Sequence, residues 1–144
     1  MPQVDSALVA FKLFDERSYE ATKLIGIALG KMQSEFDNQL MWVALSVDDL
    51  TTAHASEESS EGVVNLLRNV RGAKLAIVIR ERMDELGPVA RVSVRALPDL
   101  RADLFCAQFG GGGHAAAAGC RLRNDTFDQS VRAIVTAARL WIPI

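Results

Sequence analysis

At 144 residues the chain has room for one domain of the usual size of about 100–200 residues, and with 49% apolar and 24% charged residues it can build a core without disulfide staples. A formal net charge of −2, taken alone, argues against a nucleic-acid ligand. No apolar run approaches the roughly 18 residues of a membrane span and no charged-then-apolar leader is present, so a cytoplasmic protein without a membrane partner is expected.

Residues 5–14 are short and apolar-rich and predict a leading helix. Ser18 then suits an N-cap, and Leu24, Ile25, Ala28, Leu29 and Met32 recur at helical spacing, which predicts a helix over about 18–34. Asp37-Asn38 breaks that pattern. Residues 40–47 alternate Met41, Val43, Leu45 and Val47 against Trp42, Ala44 and Ser46, a strand of period two. Polar residues 48–60 predict a turn or short helix and then a loop, and 61–67 a helix capped by Ser59 or Ser60.

Leu75 to Ile79 is a continuous apolar run, as in a buried strand. Gly87-Pro88 predicts a turn, with Val89 to Arg95 returning as the second strand of a hairpin through a loop of several residues. Along that strand Ala90, Val92 and Val94 point one way, while Arg91, Ser93 and Arg95 point the other. Pro98-Asp99 opens a predicted helix through Leu100, Leu104, Phe105 and Phe109 that glycines stop. A strand at 119–123 and a final helix follow, the latter begun by the Thr126-x-x-Gln129 capping box and ended by Pro143. The predicted architecture is a single α/β domain with a mixed sheet of about four to five strands flanked by helices.

The charge is unevenly placed. Residues 1–67 carry four Lys or Arg against eleven acids, a balance of −7, whereas residues 68–144 carry twelve against seven, a balance of +5. Eleven of the latter twelve are Arg, whose planar fork suits phosphate and carboxylate, so the bias points to an anionic ligand. Cys106 and Cys120 form no C-x-x-C pair and read as ordinary buried thiols of a reducing compartment.

The densest signal is the segment from Phe109 to Gly119, which holds five of the ten glycines. Residues without Cβ permit positive φ and close approach of a ligand, so consecutive N–H groups can point at one anion. His114 adds a ring that can donate to phosphate or stack on a base. The string lacks the Gly-Lys-Ser/Thr of a Walker motif, and it follows a helix instead of the strand that a dinucleotide fingerprint requires.

Gly-Gly-Gly-Gly-His-x-x-Ala-Ala-Gly, here Gly110 to Gly119, resembles the signature of the DHH-associated C-terminal domain of DHH-family phosphoesterases, of the oligoribonuclease and phosphoadenosine-phosphate phosphatase type. Glu61-Gly62-Val63-Val64-Asn65 and Val92-Ser93-Val94-Arg95 resemble two further segments of that family, and the likeness runs over about residues 18–141. The resemblance implies a domain that holds short single-stranded RNA or DNA, or a phosphorylated nucleotide, while a separate DHH domain carries manganese and hydrolyses the ester. On that basis Gly110, Gly111, Gly112, Gly113 and His114 are expected to touch phosphate or base. Arg95 is expected to contact phosphate, with Ser93 beside it in Ser-x-Arg. Ala96 stands where a second Ser is common, and Glu61 and Asn65 suit helix capping as well as they suit ligand contact.

The chain has no Asp-His-His triplet, and its two histidines are His54 and His114. A two-metal hydrolase needs several Asp and His ligands around ions about 3.5–4 Å apart. His54 reads as a surface residue. No catalytic or metal-ligating residue is therefore assigned here. Residues 1–17 are expected to link residues 18–144, the substrate-binding domain, to a DHH catalytic domain outside the chain. The alternative is a regulatory or protein-interaction domain whose glycine loop serves domain packing or oligomerisation. Homo-oligomers are compatible with either.

Overall fold

The computed structural model describes residues 5–10 and 16–143. Helix α1 (Ser6–Ala10) occupies the described part of the leading segment, and residues 11–14 of that expectation lie outside the described residues. Ser18 accepts from the Ala21 N–H at 3.0 Å and so caps α2 (Tyr19–Lys31). This helix is shorter than its apolar spacing predicts. Met32 leaves helical geometry, and residues 33–35 pair with the next strand instead. Phe36, Asp37 and Asn38, all at positive φ, turn β1 (Gln33–Glu35) into β2 (Leu40–Leu45).

A capping box of Ser46 and Asp49 starts α3 (Val47–Ala53), which exposed His54 ends at φ 52°. A 3-10 turn (Glu57–Ser60) leads into α4 (Glu61–Arg68). The expected serine cap on α4 is not made, because the Ser60 hydroxyl donates to the Glu57 carbonyl at 2.7 Å.

β3 (Leu75–Asp84) runs well past its apolar stretch and pairs along its whole length with β4 (Gly87–Ala96). The hairpin loop is therefore only Glu85-Leu86, not several residues. Asp84 Oδ1 accepts from the Leu86 N–H at 2.9 Å, Arg123 pairs with Asp84, and Gly87 at φ +116° completes the reversal. The helix expected after Pro98 is broken in two. A 3-10 turn (Pro98–Leu100) ends at Arg101 with φ 61°, and α5 (Ala102–Ala107) begins anew, its first N–H bonded to the Ala115 carbonyl at 2.8 Å. β5 (Gly112–Gly113), β6 (Ala117–Arg123) and α6 (Phe127–Trp141) complete the order, with the Thr126–Gln129 capping box formed as its spacing predicts.

The sheet order is β1-β2-β3-β4-β6-β5, with β2 and β3 parallel and every other pair antiparallel. Among the described residues there are six strands, more than the four to five expected, because the edge strands β1 and β5 are too short and too polar or glycine-rich to show period-two apolar alternation. One sheet face, with Leu75, Ile77, Ile79, Val92 and Val94, packs on α5 and α6 through Phe105, Ile134, Val135 and Ala138. The other, with Met41, Val43, Ala76 and Val78, packs on α2, α3 and α4 through Leu24, Ala28, Val63 and Leu67. Three layers, α/β/α, result.

The edge strand β1 is tied to the last helix at Glu35. Its carboxylate accepts from Arg139 Nε of α6 at 2.7 Å and from Trp42 Nε1 at 2.8 Å. The Arg139 bond holds the Glu35 carboxyl below the usual glutamate range despite partial burial. A lowered pKa adds stability above the unfolded value and withdraws it as pH falls through the folded one. Glu35→Gln is accordingly expected to cost about 0.5–1 kcal/mol at pH 7. The deficit should shrink as pH falls from the ordinary glutamate range through the lowered Glu35 pKa, in acid-denaturation curves followed by circular dichroism.

Candidate functional site

The glycine segment folds as the exit of α5 and the edge of the sheet. Gly111 N–H donates to the Cys106 carbonyl at 3.0 Å and Gly110 N–H to the Ala107 carbonyl at 3.1 Å, with Gly110 at φ +78°, the bonding of a Schellman stop. Gly111 lies flat on β6, where a Cβ would sit 2.2 Å from the Gly119 carbonyl oxygen and 2.5 Å from Cys120 Cβ. Gly113 combines φ +149° with a Cβ position 2.7 Å from the Ala117 carbonyl oxygen. Three of the four glycines are thus demanded by local backbone geometry. Gly112 is not, since a Cβ there meets nothing within 4 Å among the described residues. His114, exposed, opens the turn from β5 into β6, and its N–H donates to the Ala117 carbonyl at 2.7 Å.

β4 brings this edge into register with its polar face. Arg91 lies opposite Arg121, Ser93 opposite Gly119 and Arg95 opposite Ala117, while Gly112 lies across β6 from Ser93, itself opposite Gly119. The ladder continues into β3, where Arg80 faces Arg91 and Val78 faces Ser93. Alternation therefore sets Arg80, Arg91, Ser93, Arg95, Gly119 and Arg121 on one sheet face, with Arg91 and Arg95 about 13 Å apart along the strand. α4 packs over β3 and the adjoining part of β4.

Two open clefts share this surface. One, of about 730 Å³, is lined by Glu57, Glu58, Glu61, Arg80, Arg82, Arg91 and Ser93. Its neighbour, of about 360 Å³, is lined by Arg80, Arg91, Ser93, Phe109, Gly110, Gly111, Gly119, Cys120 and Arg121. The structure thus joins Ser93, Gly110 and Gly111 in one cleft. Arg95, Gly112, Gly113 and His114 stand outside its lining, at the end of the same ladder. Glu61 lines the larger cleft, and Asn65 is exposed on α4 without lining either.

Arg80 is the residue that sequence reasoning missed. Its side chain is 10% exposed, its Nη1 donates to Ser93 Oγ at 3.0 Å, and its buried Nε has no hydrogen-bond acceptor among the described residues. Burial lowers its pKa, opposed by the Glu57 carboxylate and reinforced by Arg91. A buried donor without an acceptor costs about 1–3 kcal/mol, more when charged, so its retention needs an explanation beyond folding. With Oγ accepting from Arg80, the Ser93 O–H is left to donate outward into the cleft. The available signal was the continuation of period two beyond Ile79, which puts Arg80 and Arg82 on the face of Ala76 and Val78. Other arginines of the basic half are internally paired: Arg101 with Asp103, Arg123 with Asp84 and Arg139 with Glu35. Cys106 is buried and free, and its contact with Cys120, together with burial, pushes its thiol pKa up.

Residues 50–142 match the model of the DHHA1 domain. That span contains every residue of the two clefts and the glycine edge. The chain belongs to the DHHA1 family. This DHHA1 domain is 33% identical over 95 residues to the bifunctional oligoribonuclease and PAP phosphatase NrnA of Thermus thermophilus, a match covering 62% of this chain and 28% of that protein. Its fold is similar to that of an exopolyphosphatase-related protein from Bacteroides fragilis, with a TM-score of 0.82 at 21% identity over 96% of this chain and 39% of the other. It is similar also to the pGpG-specific phosphodiesterase PggH of Vibrio cholerae, with a TM-score of 0.54 at 16% identity over 95% and 44%. The chain therefore spans less than half the length of each of these three proteins. Among the described residues no three His, Cys, Asp or Glu side chains converge as a metal ion requires, so these donors do not fit a manganese centre. No described helix is long and apolar enough to cross a membrane.

Proposed function

We propose that this DHHA1 domain binds the phosphorylated end of a nucleotide or of a short single-stranded RNA or DNA and presents it to a separate DHH catalytic domain for hydrolysis. The observation that carries this reading is the arginine face of β3, β4 and β6, centred on a buried guanidinium with an unused donor and bordered by a strand of bare glycine. Guanidinium groups grip phosphate through paired, charge-assisted hydrogen bonds. Gly112, free of any packing demand, leaves space for a ligand to approach the sheet edge. The domain's contribution to catalysis is positioning: Ser93, Arg95 and His114 fix the ligand's end, and the ester bond then lies at a defined distance from the catalytic domain. Manganese belongs to that partner domain in this reading, and residues 1–17 are the link to it.

The alternative, a packing or interaction role for the glycine loop, draws support from the internal hydrogen bonds of Gly110, Gly111 and His114. Titrating a 5′-phosphorylated trinucleotide into the chain by calorimetry separates the two. Arg95→Ala and His114→Ala are each expected to weaken binding about tenfold or more, the loss of one charge-assisted contact. Equal affinity across wild type and both variants, or no binding by any, removes the site assignment and favours the interaction role.

A further inference from the structure

The larger cleft holds a charge arrangement that positioning through Ser93, Arg95 and His114 does not use. The carboxylate of Glu57, on the turn before α4, stands among three guanidinium groups. Its Oε1 lies 3.0 Å from Arg91 Nε and 3.8 Å from Arg80 Nε, and its Oε2 lies 3.9 Å from Arg82 Nη1. Only the Arg91 contact is at hydrogen-bonding distance, and Arg80 Nε remains without an acceptor among the described residues. Two planar oxygens cannot serve three forks that converge from β3 and β4.

We propose that Arg80, Arg82 and Arg91 form a phosphate subsite in which the Glu57 carboxylate stands in for the ligand, and that a terminal phosphate monoester displaces it. A monoester brings three acceptor oxygens and a charge of about −1.5 to −2 at neutral pH, against two oxygens and a single charge for the carboxylate. It can reach Arg80 Nε and Arg91 Nε together, which Glu57 does not. The exchange asks only for a side-chain rotation. The Glu57 backbone is held by the Ser60 hydroxyl on its carbonyl at 2.7 Å, so the turn stays while the carboxylate swings out. Glu57 then acts as a selectivity gate: a neutral or singly charged group does not outcompete it, and a dianion does. This deepens the proposed function by assigning the kind of end group recognised, and it rests on that reading only for the identity of the whole ligand.

Inorganic phosphate is the first probe, titrated into the full chain and followed by the arginine Nε–H resonances in nuclear magnetic resonance. Glu57→Gln is expected to tighten binding about fivefold to tenfold, and Arg82→Ala and Arg91→Ala to weaken it at least tenfold. Arg101→Ala, whose guanidinium pairs with Asp103, controls for lost charge alone. Circular dichroism melts confirm that each variant folds. Unchanged or weaker binding by Glu57→Gln overturns the gate. Loss of binding in Arg95→Ala with full binding in Arg82→Ala and Arg91→Ala overturns the placement. In a second arm the gain from Glu57→Gln should appear for a 5′-phosphorylated dinucleotide and not for its unphosphorylated counterpart, and equal gains overturn the monoester assignment. Because phosphate alone reports on Glu57, the subsite can stand even if the trinucleotide experiment fails, and the reverse holds as well.

Discussion

Phe105→Ala is expected to cost about 3–5 kcal/mol, the range for emptying a fully buried aromatic site. Phe105 is 0% exposed and ranks among the largest fully buried side chains. Its ring packs edge-on against Trp141 at 5.6 Å and tilted against Phe109 at 5.9 Å, so it joins α5 to α6 and to the segment entering the glycines. Trp141 is itself fixed by its Nε1 donating to the Leu100 carbonyl at 2.7 Å, which leaves the neighbours little freedom to collapse into the cavity. The measurement is a urea titration at neutral pH, where the midpoint should fall with the slope preserved. A loss below about 1 kcal/mol would show that α5 and α6 are held together by other contacts.

Gly111→Ala should destabilise by about 3 kcal/mol, the upper end for forced overpacking, and lower the melting temperature by about 10 °C. The clash is with backbone: the Gly119 carbonyl oxygen at 2.2 Å and Cys120 Cα at 2.8 Å cannot swing aside as a flexible side chain would. Relief requires β5 and β6 to part, which also moves the floor of the smaller cleft. Gly112→Ala, one residue along, should leave the melting temperature within about 1–2 °C because its Cβ enters open space. Differential scanning calorimetry on the pair checks both. If the two variants melt together, close packing on β6 is not the reason for glycine at position 111. A stable Gly112→Ala variant with weakened ligand binding would place the ligand against the sheet edge.

Local periodicity made much of this protein legible. Alternation along 89–95 gave the correct inward set of Ala90, Val92 and Val94 and the correct outward set of Arg91, Ser93 and Arg95, since a strand's period of two depends on no other part of the chain. Thr126 and Gln129 announced their helix for the same reason, a capping box being complete within four residues. The glycine-histidine string, with its family likeness, was visible for its unusual density. What alternation does not reveal is where a chain leaves one pattern for another. Met32 and Arg101 break helices through backbone turns that their side chains do not advertise, and the two-residue β5 exists only because β6 offers it a ladder.

By itself, then, the sequence determined the α/β class, the family, and a short roster of anion-binding candidates, all properties carried by contiguous residues. The tertiary structure alone decided which of them meet. The β3–β4 register sets Arg80 against Arg91, and the path through α3 carries Glu57 back over the same strands from more than twenty residues upstream. Arg80, the last residue of a run otherwise apolar, gained its significance from burial and from an unused Nε, neither of which is a local property. The glycines, four alike in sequence, were separated into three held by backbone geometry and one left open. Close approach between distant strands is a matter of three-dimensional register, and no pattern along the chain encodes it.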